Sequence, residues 1–149
     1  MNYKVASLDD VDLLIDLRIQ QLIDEGSTYQ PIESQLKEYF TSILQANNLY
    51  QIIVYDNEKA IACGGFIVYA FPPGYNNPSG LKAYICNVYT HQDYRRQGIC
   101  KNILDKLCLE IKDRGIKKVW LNASTKGMPV YFKYGFVDNH EWLDFEIER

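Results

Sequence analysis

Tyr94-Arg95-Arg96-Gln97-Gly98-Ile99-Cys100-Lys101 joins a β-rich run, Leu81 to about Thr90, to the clearest helix in the chain, Gly98–Arg114. In that helix Ile99, Ile103, Leu107 and Ile111 recur at every fourth position, supported by Leu104 and Cys108. Gly115 supplies its stop, with Arg114 in the last turn. A second β-rich run follows at Lys117–Ala123. Strand, loop, helix and strand over this length predict two parallel, neighbouring strands joined by a right-handed crossover. Ligands on such units bind where the first strand ends and the helix begins. A glycine there lets backbone approach a ligand closely, because no Cβ intervenes. The first-turn N–H groups of a helix lack intrahelical partners and carry the positive end of its dipole. Two arginines just before them add charge that never titrates away. Together these make a cradle suited to a pyrophosphate.

Outward from this unit, Tyr3–Ala6 reads as a short strand. Ser7 with Asp10 is a capping signal for a helix carrying Val11, Leu14, Ile15, Arg18 and Leu22 at helical spacing. A second helix is expected from Pro31, with the proline in its first turn and Ile32, Leu36, Tyr39, Phe40, Ile43 and Leu44 on one face. Gln51–Tyr55 and Ala60–Tyr69, separated by Asp56-Asn57-Glu58-Lys59, read as a hairpin. Residues 71–80 form an uncharged loop rich in turn formers. A short helix is expected at Gly127–Tyr134, and the alternation of Leu143, Phe145 and Ile147 with Trp142, Asp144 and Glu146 predicts a final strand. No repeat or linker interrupts the chain, so residues 1–149 are read as one α+β domain.

Composition agrees with a folded domain: 149 residues, 47% hydrophobic and 23% charged, are enough for one real core and too few for two comfortable ones. No run approaches the ~18 consecutive apolar residues of a membrane span, and a net charge of −3 argues against bulk nucleic-acid binding. Cys63, Cys86, Cys100 and Cys108 show no Cys-x-x-Cys spacing, and Met1–Val5 lacks the basic-then-apolar layout of a signal peptide. Reduced thiols and a cytoplasmic location are therefore expected. The charge is unevenly spread. Residues 1–60 carry four basic and ten acidic groups, whereas residues 95–126 carry nine basic and three acidic. The basic middle begins at the cradle and suits an anionic ligand.

Three blocks in order resemble the GCN5-related N-acetyltransferase (GNAT) family. Arg95-x-x-Gly98-x-Cys100 is similar to the family's Arg/Gln-x-x-Gly-x-Gly/Ala signature, with Cys100 replacing the small last residue. Tyr84–Tyr94 resembles the strand leading into that loop. The resemblance runs on through Leu121-Asn122-Ala123-Ser124 to Pro129-Val130-Tyr131-Phe132-Lys133-Tyr134-Gly135-Phe136, which is similar to the family's closing Leu-Tyr-x-x-x-Gly-Phe block. The resemblance covers roughly residues 81–136. It implies a three-layer α/β arrangement: a mixed, mostly antiparallel sheet with a splayed parallel central strand pair, flanked by helices. It also implies acetyl-coenzyme A (acetyl-CoA) as acetyl donor, with coenzyme A as product, and a primary amine of a small molecule or peptide as acceptor.

On the same resemblance, backbone groups of Val88, Tyr89 and Thr90 pair with the pantetheine arm, and the N–H near Val88 faces the thioester oxygen. Arg95, Arg96, Gln97, Gly98, Ile99, Cys100 and Lys101 surround the pyrophosphate. Ser124 stands where many members carry an asparagine that holds the arm. Tyr131 matches the tyrosine beside the sulfur, which protonates the departing thiolate; without the blocks around it, it reads as an aromatic packing on a short helix. Tyr134 reads as core. No base stands out: His91, Asp24 and Glu25 are candidates, each with an ordinary surface role as its competitor. Acidic early helices, together with Phe71 and Tyr75 from the long loop, suggest a rim for a cationic amine. Apolar strand edges near the C-terminus are consistent with a homodimer. The competing reading is a non-catalytic acetyl-CoA-binding or sensor module of the same fold. A nucleotide-binding protein is disfavoured, because no Gly-x-Gly-x-x-Gly or P-loop pattern is present.

Overall fold

A computed structural model describes residues 1–148. In chain order the elements are β1 (Asn2–Val5), a 3-10 turn (Leu8–Asp10), α1 (Val11–Asp24), α2 (Glu33–Gln45), β2 (Leu49–Asp56), β3 (Lys59–Ala70) and β4 (Leu81–Thr90). A 3-10 turn (Gln92–Tyr94), α3 (Ile99–Asp113), β5 (Lys118–Leu121) and α4 (Met128–Tyr134) follow. The sheet order is β1-β2-β3-β4-β5, antiparallel from β1 to β4 and parallel between β4 and β5. The crossover read from Leu81–Ala123 is therefore present.

Two apolar clusters sandwich the sheet. On one face Ile99, Ile103, Leu104, Leu107 and Ile111 of α3 pack on Ile52, Val54, Phe66 and Ile85. On the other, Leu14, Ile15 and Leu17 of α1 and Phe40 of α2 pack on Leu49, Ile53, Cys63 and Ile67. Each such side chain contributes about 1.5–3 kcal/mol when fully buried. Because β2 is covered on both faces, Ile52, Ile53 and Val54 follow one another without polar alternation. The capping box is formed: Ser7 N–H donates to Asp10 Oδ2 at 2.8 Å, and Lys4 Nζ pairs with Asp10 Oδ1 at 2.7 Å. Burial works against the Asp10 carboxylate, yet the Lys4 and Ser7 hydrogen bonds hold its pKa below the ordinary range.

Two expectations are corrected. Helix α2 begins at Glu33, so Pro31 precedes the helix instead of occupying its first turn; Ile32 at the cap takes φ −114°, outside helical geometry. Residues 142–147 form no strand. Alternation makes a strand only where a neighbouring edge supplies hydrogen bonds, and here the segment docks by its rings. Trp142 stacks on Trp120 of β5 with centroids 6.0 Å apart and meets Phe71 edge-on, while Leu143 and Ile147 stay exposed.

Candidate active site

The site begins with a defect in the sheet. Cys63 pairs with Tyr89 and Gly65 with Cys86, so Gly64 alone faces both Asn87 and Val88. That is a β-bulge on β4, and its extra residue, Asn87, sits at φ 55°, a left-handed conformation asparagine tolerates better than most residues. Buried polar groups hold it. Asn87 Nδ2 donates to Oε1 of Gln51, which is 1% exposed, at 3.3 Å, and the Cys63 thiol donates to the Asn87 carbonyl at 3.2 Å. The two glycines opposite give the room. A Cβ on Gly64 would lie 2.6 Å from Ile103 Cγ2, and one on Gly65 would collide with Gln51 Oε1.

Bulged strands bend. Parallel pairing of β4 with β5 stops at Ile85 and Leu121, while β4 runs on to Thr90. The gap is a cleft of roughly 1610 Å³. We expect Gln51→Leu to leave the Asn87 amide unsatisfied and cost about 1–3 kcal/mol, measured by urea denaturation. An unchanged midpoint would show that the network does not hold the bulge.

One end of the cleft is the N-terminus of α3. Arg96 at φ 62° and Gly98 at φ 78° turn the chain into the helix. The first backbone bond is Asn102 N–H to the Gly98 carbonyl, at 3.0 Å, which leaves the N–H groups of Ile99, Cys100 and Lys101 without intrahelical partners. No side chain caps this end, and its first turn contains no acidic residue. A Cβ on Gly98 would meet nothing within 4 Å.

Of the residues read as surrounding a pyrophosphate, Arg95, Arg96, Gly98, Ile99, Cys100 and Lys101 line the cleft. Gln97 does not; its amide turns back toward the Asp93 carbonyl. Arg95 has a second employment, donating Nε to the Thr90 carbonyl at 2.9 Å and Nη2 to Asp24 Oδ2 at 2.7 Å. Lys126 Nζ donates to the Asp24 carbonyl at 2.9 Å. These bonds tie the end of α1 to both sides of the cleft.

Val88, Tyr89 and Thr90 line the middle, with Ser124 and Tyr131. Ser124 Oγ accepts the Gly127 N–H at 3.1 Å, which opens the turn into α4, and keeps its own hydroxyl proton to donate. Burial pushes the Tyr131 phenol well above the ordinary tyrosine range, with Cys100, Glu25 and Tyr84 adding to the shift. The phenol therefore stays protonated. Burial also raises the Cys100 thiol, so it faces the cleft as a neutral group. Tyr134 packs its ring against the core while its hydroxyl donates to Asp105 Oδ1 at 2.9 Å.

The far end is built by α1, α2 and the first half of β4. Arg18, Gln21 and Glu25 share a face of α1. Arg18 Nη1 donates to Gln21 Oε1 at 3.1 Å, and Gln21 Nε2 donates to Glu25 Oε1 at 3.2 Å. Tyr39, Tyr69, Tyr84 and Cys86 complete the walls. Phe71 and Tyr75 do not rim this cleft. Phe71 packs on Trp120 and Trp142, and Tyr75 is fully exposed at the tip of the β3–β4 loop. That loop joins β3 to β4 at the Tyr69 and Tyr84 end, but Phe71 is taken up by the two tryptophans and Tyr75 stays in solvent. Of the candidate bases, Asp24 and Glu25 line the cleft and His91 does not; His91 Nδ1 accepts the Asp93 N–H at 3.3 Å and caps the 3-10 turn.

Sequence reasoning passed over Gln51, Asn87, Arg18 and Gln21. The signals existed: Gln51 and Asn87 are amides inside apolar strands, and Arg18 is a charge on the apolar stripe of α1.

A family model described as "Acetyltransferase (GNAT) family" matches residues 15–136. Among solved structures, a predicted acetyltransferase from Clostridium acetobutylicum, crystallised with acetyl-CoA, is 42% identical with a TM-score of 0.94. That alignment covers 97% of this chain and 95% of that one. A GCN5-related N-acetyltransferase from Ralstonia eutropha shares the fold at 20% identity and a TM-score of 0.89, covering 97% of each chain. Glucosamine-6-phosphate N-acetyltransferase from Arabidopsis thaliana shares it at 17% identity and a TM-score of 0.72, covering 99% of this chain and 100% of that one. No curated protein matches the chain.

Proposed function

The chain belongs to the GNAT acetyltransferase family, and from that premise we propose that it moves an acetyl group from acetyl-CoA to a primary amine of a small molecule or peptide, by direct attack in a ternary complex. The observation that carries the proposal is the uncapped N-terminus of α3, opening onto the cleft that the β4 bulge creates. A fifteen-residue helix with no side-chain cap and no first-turn acid leaves its end dipole for a ligand anion. The room at Gly98 fits the same group. The 42% identical acetyltransferase was crystallised with acetyl-CoA, and on these grounds we assign that molecule here as the donor.

The N–H groups of α3 and the side chains of Arg96 and Lys101 hold the diphosphate, with Arg95 bracing the loop through Thr90 and Asp24. Backbone groups of Val88, Tyr89 and Thr90 and the Ser124 hydroxyl hold the pantetheine arm. The Val88 N–H faces the oxygen on which negative charge develops. An alkylammonium of pKa ~10.4 must lose a proton before it attacks; Glu25, the cleft carboxylate whose charge reaches Tyr131, takes it directly or through water. The new C–N bond forms, the C–S bond breaks, and the thiolate draws a proton from the Tyr131 phenol. The second proton lost by nitrogen restores the balance, so one proton in all is released to solvent.

The test is a thermal shift followed by turnover. At a hundred times its Kd, acetyl-CoA is expected to add about 2.7 kcal/mol. Thiol release should then follow on adding amines from a broad panel. Binding without transfer to any amine would instead favour a module that only senses acetyl-CoA.

A further inference from the structure

We infer that the acceptor carries an anionic group, a carboxylate or a phosphate, a short distance from its reacting amine, and that the Arg18 guanidinium receives it. The inference deepens the reading above and rests on it.

Arg18 is half-buried on the stripe of α1 that packs on the sheet, in register with Leu14 and Leu17, and it lines the acceptor end of the cleft. A guanidinium keeps its charge at any physiological pH, and withdrawing it from water is costly unless an anion compensates. Among the described residues Arg18 has no such partner. Its bond is to the neutral amide of Gln21, and it forms no ion pair with a carboxylate and stands over no aromatic ring. Of the cleft's other cations, Arg95 pairs with Asp24 and Lys101 with Asp105, each at 2.7 Å, and Arg96, Lys126 and Lys133 are exposed to water.

Nothing facing Arg18 supplies the missing charge. Its electrostatic neighbours are Tyr39 from α2, Tyr84 and Cys86 from β4, and Cys63 from β3. Burial pushes Tyr39, Cys86 and Cys63 each up to about 12 and raises Tyr84 as well, so all four stay neutral. Glu25 stands beyond Gln21, whose Nε2 donates to it. Of the acidic residues of the first helix that suggested a cationic acceptor, Asp12 and Asp16 are exposed and do not line the cleft, Asp24 is paired with Arg95, and Glu25 alone is left for the ammonium.

Position sets the size of the ligand. Arg18 faces β4 at Tyr84 and Cys86, before the bulge, whereas the α3 N-terminus lies after Thr90. It is therefore no part of the diphosphate seat. Val88 follows Cys86 by two positions, with only the bulged Asn87 between them, a span of at most about 7 Å. An amine at the thioester and an anion at Arg18 thus belong to one small molecule, such as an amino acid or an aminoalkyl phosphate. Glu25 on the same helix face is left for the ammonium end, and Gln21 links the two side chains that read the zwitterion.

The test pairs glycine with glycinamide, β-alanine with β-alaninamide, and 2-aminoethyl phosphate with ethanolamine. Two readouts are taken: thiol release from acetyl-CoA, and the melting temperature of the protein saturated with CoA. In at least one pair the anionic member should win by tenfold or more in kcat/KM, or alone raise the melting temperature. Which pair responds separates carboxylate from phosphate. Arg18→Gln should remove the preference, a loss of tenfold or more in kcat/KM for the anionic member alone, and Arg18→Lys should restore part of it, because an ammonium keeps the charge but loses the bidentate geometry. Both variants should keep the thermal shift given by CoA. Neutral members acting equally well, Arg18→Gln responding like the parent, or no anionic probe acting while CoA still binds would each overturn the inference. Loss of the CoA response in the parent protein would instead sink the acetyltransferase reading, and this inference with it.

Discussion

Tyr131→Phe is expected to lower kcat by about 10²-fold, at the modest end for a positioned general acid, while leaving CoA affinity within a factor of two or three. Loss of solvent around the ring raises the phenol's pKa, which keeps the donor loaded at every pH at which the fold is studied. The same shift makes it a weaker acid, so its gain comes from hydrogen-bonding a thiolate as negative charge arrives, not from outright acidity. The ring itself packs edge-on against Phe136 with centroids 5.9 Å apart, and phenylalanine preserves that contact, so stability should barely move. An acid must be protonated to act. Activity limited by Tyr131 is thus retained on the alkaline side and lost only as pH rises through a pKa above the ordinary ~10 of tyrosine. Steady-state kinetics with saturating acetyl-CoA, with a pH profile, checks both points. Full turnover in the variant would remove Tyr131 from the chemistry.

Gly98→Asp should abolish tight CoA binding, weakening it by 10²-fold or more, with little change in stability. Two effects on the fold oppose each other. A side chain at φ 78° is strained by about 1–2 kcal/mol, while a carboxylate at the start of α3 bonds its free N–H groups and recovers about 1 kcal/mol. The effect on the ligand is one-sided. The introduced carboxylate occupies the place a diphosphate would take and repels it. Denaturation curves and ligand-induced thermal shifts on the same protein separate the two. A variant that still binds CoA at the parent's affinity would show that the helix end is not the anion seat.

Much of the fold was legible because its signals are local. Isoleucine and leucine at every fourth position in α3 admit one reading, and Gly98 and Gly115 bracket it. The crossover between β4 and β5 follows from element order alone. Residues 142–147 misled because alternation specifies a strand's faces but not its neighbour; Trp142 found Trp120 by ring stacking, and no edge received the backbone. Phe71 and Tyr75 misled for a related reason: a loop's composition does not say what its rings pack on, and Phe71 found Trp120 and Trp142 while Tyr75 stayed in solvent. The cradle at Gly98 was legible as a helix start after two arginines. The splaying of β4 from β5 was implied only through the family resemblance, and the bulge that produces it carries no local signal. Its supports, Gln51 and Asn87, are 36 residues apart in sequence, and only the fold brings them together. Arg18 was legible as an anomaly, a charge on an apolar stripe, but its lack of a partner is a three-dimensional fact.

Calorimetric titration of CoA against pantetheine, the same arm without its diphosphate, tests the central claim most directly. If the N–H groups of α3 grip the diphosphate, CoA should bind with measurable heat and an affinity that falls as salt is raised, and pantetheine should bind at least 10²-fold more weakly. No heat with CoA, or equal affinity for the two ligands, would contradict the account.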